Sequence, residues 1–195
     1  MPIDTGIGAL TPVYCEVPAG ADLLVILDNA DQAGDLGYHD ETPDGKPYAR
    51  AFVTPILDQG GKPLRTDMSV SACVSHEVCE WFGDPYVNLW ADDGGRKEYA
   101  VELCDPVEND SYEIDHVAVS NFVTKRYFDH LAPKGSRFDY LKKLKKPYSM
   151  TPGGYLLIRH GTNVQEKDGA RYPNWKKEMK RFPASRTAKR LKQTD

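Results

Sequence analysis

The stretch SACVSHEVCEWFGDP, residues 71–85, carries the main evidence for the fold of this sequence. Apolar residues recur through it at three- and four-residue spacing, which predicts an amphipathic helix. Thr66 or Asp67 is the expected N-cap, and the helix is expected to run to about Phe82. Gly83 and Pro85 then end it.

The helix contains the pattern His-Glu-x-x-Glu at residues 76–80, one residue away from the zinc-protease signature His-Glu-x-x-His. His76 and Glu80 are four positions apart and lie on one helix face. Glu77 lies about 100° round the helix, where a carboxylate can act as general base beside a metal-bound water. Carboxylate oxygen is an accepted zinc ligand, so the pattern predicts a metal site.

A catalytic metal needs a third protein ligand and an open position. The best source is VELCDP, residues 101–106, where Glu102 and Asp105 lie near the end of a predicted strand. Asp84 is closer in sequence, but it can instead satisfy backbone amides in the turn after the helix. Cys104 is a further alternative as the third ligand.

Two other interpretations of the helix remain open. Cys73, His76 and Cys79 lie near one face and, with Cys104, would make a closed structural zinc site. Alternatively, Cys73 and Cys79 are small core residues in an ordinary amphipathic helix. The remaining histidines are not expected to bind metal. His39 and His116 are expected in turns, and His130 and His160 have no metal-ligand spacing around them.

Short strands surround the helix, and together they predict an α+β fold. Residues 22–29 are typical of a buried strand, and residues 49–57 of an edge strand because they contain Pro55. Residues 88–105 predict a hairpin around Asp-Asp-Gly-Gly, and residues 112–124 predict a strand or strand pair turning at residues 114–116.

Charge divides the chain in two. Residues 1–124 hold 6 Lys/Arg and 23 Asp/Glu, whereas residues 125–195 hold 19 Lys/Arg and 6 Asp/Glu. The basic part is expected to meet nucleic acid, an acidic partner or the protein's own acidic half. We expect a core at residues 1–130, a basic and Gly/Pro-rich extension with a short strand at 131–163, and an extended basic C-terminal arm at 164–195.

The helix motif resembles that of a group of bacterial and bacteriophage zincin-like metallopeptidases. The shared pattern is Ser-His-Glu-x-x-Glu, then Asp-Pro, then Glu-x-x-Asp, preceded here by LGYHDETPDGKPYARAFV at residues 36–53. The resemblance implies a zincin-like mixed sheet whose edge strand pairs with substrate and whose helix bears the metal. It further implies His76, Glu80 and Asp105 as Zn²⁺ ligands, Glu77 as the catalytic base and Asp84 in a supporting role, with another divalent metal as an alternative.

Two functions follow as hypotheses. The first is a metal-dependent hydrolase, a peptidase whose peptide substrate pairs with residues 49–57. The second is a virion or assembly protein on a zincin-like core, whose basic arm binds neighbouring subunits or DNA. The sequence has no basic, apolar start of the signal-peptide kind and no apolar run of about 20 residues, so we expect a cytoplasmic or virion-associated protein without a membrane segment.

Overall fold

The computed structural model describes residues 23–31 and 35–174, and these residues form nine β-strands and two α-helices. Cys15 and residues 175–195, most of the predicted arm, lie outside the described residues. The strands are β1 Leu23–Leu27, β2 Gly37–Glu41, β3 Pro47–Phe52, β4 Trp90–Asp92, β5 Glu98–Ala100, β6 Ser111–Ile114, β7 Val117–Ser120, β8 Tyr155–His160 and β9 Asn163–Asp168. The α-helices are α1 Val53–Asp58 and α2 Val70–Gly83, and two short 3₁₀ helices cover Asp105–Val107 and Lys125–Phe128.

The strands make three sheets, which confirms the α+β class. The first sheet has the order β1-β3-β2 and is mixed, because β1 pairs with β3 in parallel and β2 pairs with β3 antiparallel. The second is antiparallel with the order β4-β5-β8-β9. The third is the β6-β7 hairpin, which turns at Asp115 and His116 as predicted.

The prediction of an edge strand over residues 49–57 is wrong in two respects: the strand ends earlier than predicted, and it is not at the edge of its sheet. β3 ends at Phe52, and the chain continues directly into α1, where Pro55 occupies the first turn and needs no backbone donor. β3 is the central strand of its sheet, paired on both sides. A peptide substrate therefore cannot add to this strand. The edge strands of this sheet are instead β1 and β2. Residues 23–27 do form a strand as predicted, but Ile26 is 48% exposed, so the prediction that this strand is buried is wrong.

Helix α2 begins later than predicted. Its N-cap is Ser69, whose hydroxyl accepts a hydrogen bond from the backbone N–H of Ala72 at 3.1 Å. Thr66 cannot serve as the cap because its φ of 81° is left-handed, whereas an N-cap residue is extended. The helix ends at Gly83, as the sequence predicted.

Helix α2 lies between the first sheet and the β6-β7 hairpin. On the hairpin side, the Ser71 hydroxyl donates to the carbonyl of Ala118 at 2.8 Å, and the backbone N–H of Ser120 donates to Ser75 Oγ at 2.8 Å. On the sheet side, the Cys73 thiol donates to the carbonyl of Leu36 at 3.2 Å. These contacts fix the rotation of the helix and so decide which face it turns inward.

The boundary predicted after residue 130 does not divide the core. One hydrophobic cluster draws on both sides of it, and its buried members are Val107, Val123, Tyr127, Phe138, Leu144, Leu156 and Ile158. Residues 131–163 therefore belong to the core rather than to an extension of it.

The arm cannot begin at Val164, as the sequence predicted. Residues 163–168 form β9, which pairs along its whole length with β8. Beyond β9, Tyr172 is 5% exposed and its ring packs edge-on against Tyr155, with centroids 5.5 Å apart. The folded part of the chain thus extends to at least Tyr172. In the described ranges, no helix has the length and apolar character needed to cross a membrane.

Candidate metal centre

The inward face of α2 carries the histidine and both glutamates of the motif. Glu77 and Glu80 are 4% and 0% exposed, and the His76 side chain is 11% exposed. Burying carboxylates in this way is costly unless cations or hydrogen-bond donors surround them. The face is thus better suited to holding a charged ligand than to ordinary core packing.

The three ligands predicted from the sequence converge. His76 Nε2 lies 3.2 Å from Glu80 Oε1 and 3.3 Å from Asp105 Oδ1. Asp105 begins the 3₁₀ helix that follows β5, and its backbone N–H donates to Glu80 Oε1 at 3.3 Å. That bond fixes the start of the 3₁₀ helix against α2 and brings Asp105 to His76.

The two distances from His76 suit a metal ion that the imidazole shares with either carboxylate. Two ligand atoms bound at about 2.1 Å to one tetrahedral ion lie about 3.4 Å apart. The His76–Glu80 and His76–Asp105 distances, 3.2 and 3.3 Å, are close to that value. They also fall within reach of a hydrogen bond, so a protonated His76 held between two carboxylates is the alternative occupant of the same geometry.

His39 is the residue that the sequence interpretation missed. It lies in β2, not in a turn, and is fully buried. Its Nε2 lies 3.0 Å from the backbone carbonyl of Asp84, and its Nδ1 lies 3.7 Å from Glu77 Oε2 and 3.6 Å from Glu80 Oε2. No spacing rule links His39 to a helix 30 residues later; an available signal was its position in an extended Gly-Tyr-His stretch near a second strand.

Two sets of ligand atoms can therefore be distinguished. Atoms of His39, Glu80 and Glu102 lie within 4.8 Å of one another, and so do atoms of His76, Glu77 and Glu80. Glu102, one of the alternatives for the third ligand, is 3% exposed and reaches the set that contains His39. Glu80 belongs to both sets.

Asp84 supports the site through its backbone. Its carbonyl is the partner of His39 Nε2, and its carboxylate oxygen Oδ2 accepts from the backbone N–H of Leu89 at 2.7 Å. The bond to Leu89 is the role in the turn that the sequence suggested for Asp84. The contact with His39 orients an imidazole in the way that outer-shell partners orient metal ligands.

The charge of His76 follows from its surroundings. Burial alone lowers the pKa of an imidazole, but the nearby carboxylates of Glu80, Asp105 and Glu77 outweigh burial and hold the pKa of His76 well above its ordinary 6.5. Without a metal ion, His76 is therefore the cation of the cluster at neutral pH. A metal ion must displace that proton in order to bind.

The thiols do not assemble the closed zinc site that was an alternative. Cys73 is occupied with the carbonyl of Leu36, on the side of α2 that faces the sheet. Cys79 and Cys104 hydrogen-bond to each other; this contact lowers the pKa of Cys79, while burial raises that of Cys104. Within residues 23–31 and 35–174, neither ligand set contains a thiol.

Comparisons of this chain with protein-family models, with curated proteins and with solved structures found no match. The geometry of the site therefore carries the functional argument.

Proposed function

We propose that this protein is a divalent-metal-dependent hydrolase, most simply a zinc peptidase, whose metal ion is held by His76, Glu80 and Asp105. The observation that carries this is the position of His76 Nε2, 3.2 Å from one buried carboxylate oxygen and 3.3 Å from another. Imidazole and carboxylate are both ordinary zinc ligands. Two anionic ligands make the bound ion a weaker Lewis acid and also admit harder divalent ions.

The bound ion would supply Lewis acidity for the scissile carbonyl and for the attacking water. Glu77 would take the proton from that water and pass it to the leaving amine. Its carboxylate supports this role, because an oxygen of Glu77 lies within 4.8 Å of ligand atoms of His76 and Glu80. His76 is the most accessible of the ligands, with 11% of its side chain exposed, so substrate would approach from its side.

Metal content tests the binding half of the proposal. Full-length protein loaded with zinc and then freed of excess ion should retain the metal, and His76→Ala should lose the ion at this site. His160→Ala is the matched control, because His160 is exposed at the end of β8 and should change nothing. Negligible zinc in the wild-type protein would refute every metal-based statement made here.

Hydrolysis tests the catalytic half. Glu77→Gln keeps the size of the side chain but removes the base, so this variant should retain zinc and lose peptide hydrolysis by about 100-fold or more. A library of unstructured peptides serves as substrate because the specificity is open. Wild-type turnover by Glu77→Gln would remove Glu77 from the mechanism, while zinc retention without any turnover in the wild type would indicate a structural ion.

The charge of the last 21 residues favours a second function, in assembly. Residues 175–195 hold eight Lys/Arg and two Asp/Glu, a composition suited to phosphate contacts or to an acidic neighbouring subunit. We propose that these residues bind a virion protein or DNA, while the metal ion is held by the ligands named above. Ending the chain after Asn174 should abolish binding to duplex DNA or to the partner protein at low salt. Unchanged binding by the shortened chain would exclude this role.

A further inference from the structure

The metal site proposed above leaves His39 unused, although its orientation is closely defined. A backbone carbonyl only accepts hydrogen bonds, so the contact with Asp84 requires His39 Nε2 to carry a proton. In the neutral imidazole, Nδ1 then presents a lone pair. A histidine whose distal nitrogen is held by a carbonyl in this way has the usual arrangement of a metal ligand.

The groups that Nδ1 faces are themselves anionic. Glu80 Oε2 lies 3.6 Å away and Glu77 Oε2 lies 3.7 Å away. Both distances are longer than an ordinary hydrogen bond. An ion bound at about 2.1 Å to each atom spans about 3.4–3.6 Å between them, which fits the observed spacing.

Glu80 presents a different oxygen to each histidine. Oε1 is the atom near His76, and Oε2 is the atom near His39. A carboxylate used at both oxygens is how two metal ions are commonly bridged, at a separation of about 3.5–4 Å. The two sets of ligand atoms meet at this one side chain.

The cluster also buries several acidic side chains together. Glu77, Glu80, Glu102 and Asp105 are each at most 4% exposed. Burying carboxyl groups in this way is costly unless cations or hydrogen-bond donors surround them, and a second divalent ion would supply positive charge there.

We propose that the protein holds a second divalent cation, bound by His39 Nδ1, Glu80 Oε2 and Glu102, so that Glu80 bridges a two-metal centre. This inference rests on the proposed function, because the two ions share Glu80. Such a centre would suit a substrate whose hydrolysis benefits from two Lewis acids, which would act on the attacking water and on the carbonyl or leaving group. Glu77, 3.7 Å from His39 and grouped with His76, lies beside both positions.

Zinc stoichiometry of the full chain tests the proposal. Metal-free protein titrated with Zn²⁺ and then cleared of excess ion should retain two ions per chain. His39→Gln keeps a donor for the Asp84 carbonyl but removes the Nδ1 ligand, so it should retain one. Glu102→Gln should also retain one, and the exposed control His160→Gln should retain two.

The outcomes separate the two proposals. One zinc per chain in both the wild type and His39→Gln would overturn the second site and leave the first intact. No zinc in the wild type would overturn the proposed function itself, and the second site with it.

A spectroscopic measurement on the wild type does not depend on any variant folding. Co²⁺ or Mn²⁺ added beyond one equivalent should replace the isolated-ion EPR signal with a spin-coupled one, because Glu80 would join the two ions. An isolated-ion signal that simply doubles at two equivalents would place the ions apart and refute the bridge.

Discussion

In its buried cluster, the His76 side chain is a cation unless a bound metal ion replaces its proton. In the folded, metal-free chain the pKa of His76 is raised well above 6.5, since the carboxylates of Glu80, Asp105 and Glu77 outweigh the effect of burial. The stabilisation this gives is complete below pH 6.5 and is lost as the pH rises through the raised value. A metal-bound form would have the opposite dependence, because it would need the imidazole neutral.

Zinc binding at neutral pH should therefore release about one proton from His76. The apparent affinity at this site should weaken about tenfold for each unit of pH below the raised pKa. Titration calorimetry in two buffers with different ionisation enthalpies measures the released protons, and chelator competition across pH measures the affinity. His160→Ala should behave like the wild type, and a binding enthalpy independent of the buffer would contradict the prediction.

Gly37 allows β2 and α2 to approach each other at the site. A Cβ at this position would lie 2.7 Å from Cys73 Sγ, 2.9 Å from the carbonyl oxygen of Arg50 and 3.1 Å from Glu77 Cγ. Gly37→Ala should therefore lower the free energy of unfolding by about 1–3 kcal/mol, measured by urea denaturation.

A double-mutant cycle isolates the steric cause of that loss. Removing the thiol with Cys73→Ala should make Gly37→Ala less costly, although the contact with the Arg50 carbonyl would remain. Gly45→Ala is the comparison in open space, where only its left-handed φ of 77° is penalised. Equal costs for Gly37→Ala with and without Cys73 would show that the thiol does not restrict this position.

From the sequence we could predict those candidate site residues that are brought together by a single helix or hairpin. Four-residue spacing on a helix suffices to place His76 beside Glu80, and the hairpin of residues 88–105 brings Asp105 back toward the helix. His39 depends on the pairing of β2 with β3 and on the packing of α2 against that sheet, and neither can be deduced from spacing. Residues 42–46, which follow it, form a turn, and their turn-like sequence led the preceding strand β2 to be missed.

Among the secondary-structure elements, short apolar runs were ambiguous because they fit either a strand or a helix. Residues 49–57 combine the end of a strand with a one-and-a-half-turn helix, and periodicity cannot separate the two over so few residues. The β4-β5 hairpin was predictable because aspartate and glycine mark its turn, and the β6-β7 turn is marked by Asp115. The pairing of β5 with β8, about 60 residues apart, has no such local mark.

The C-terminal boundary gives a prediction for truncated chains. A chain that ends after Asn174 keeps every contact among the described residues, so it is the reference for a shorter chain. A chain that ends after Thr162 loses β9 and the buried Tyr172. Since burial of one aromatic side chain alone contributes about 1.5–3 kcal/mol, this chain should be destabilised by about 3 kcal/mol or more. Thermal melts followed by circular dichroism compare them, and equal stability of the two truncations would contradict the assignment of β9 to the fold.

Over the whole molecule, the acidic and basic parts of the chain partly face each other. The Arg159 guanidinium donates to both carboxylate oxygens of Glu98 at 2.8 Å, and Lys143 pairs with Asp110. Exposed pairs of this kind add little stability, but they show that some basic residues after position 125 face the protein's own acidic half.

The candidate metal ligands come from separate parts of the fold. His39 belongs to the first sheet, His76 and Glu80 to the helix, and Glu102 and Asp105 to the segment that leaves β5 of the second sheet. Because the unfolded chain does not bring these ligands together, metal binding should stabilise the folded state.

A hundredfold excess of Zn²⁺ over its dissociation constant should contribute about 2.7 kcal/mol and raise the melting temperature by roughly 5–10 °C relative to chelator-treated protein. Glu80→Gln removes the ligand common to both ions, so its melting temperature should hardly respond to zinc. His160 is exposed and belongs to neither ligand set, so His160→Ala should respond like the wild type. A wild-type melting temperature that is the same in zinc and in chelator would mean that His76, Glu80 and Asp105 form a buried ion-pair network around a protonated imidazole, and that the cluster holds no metal.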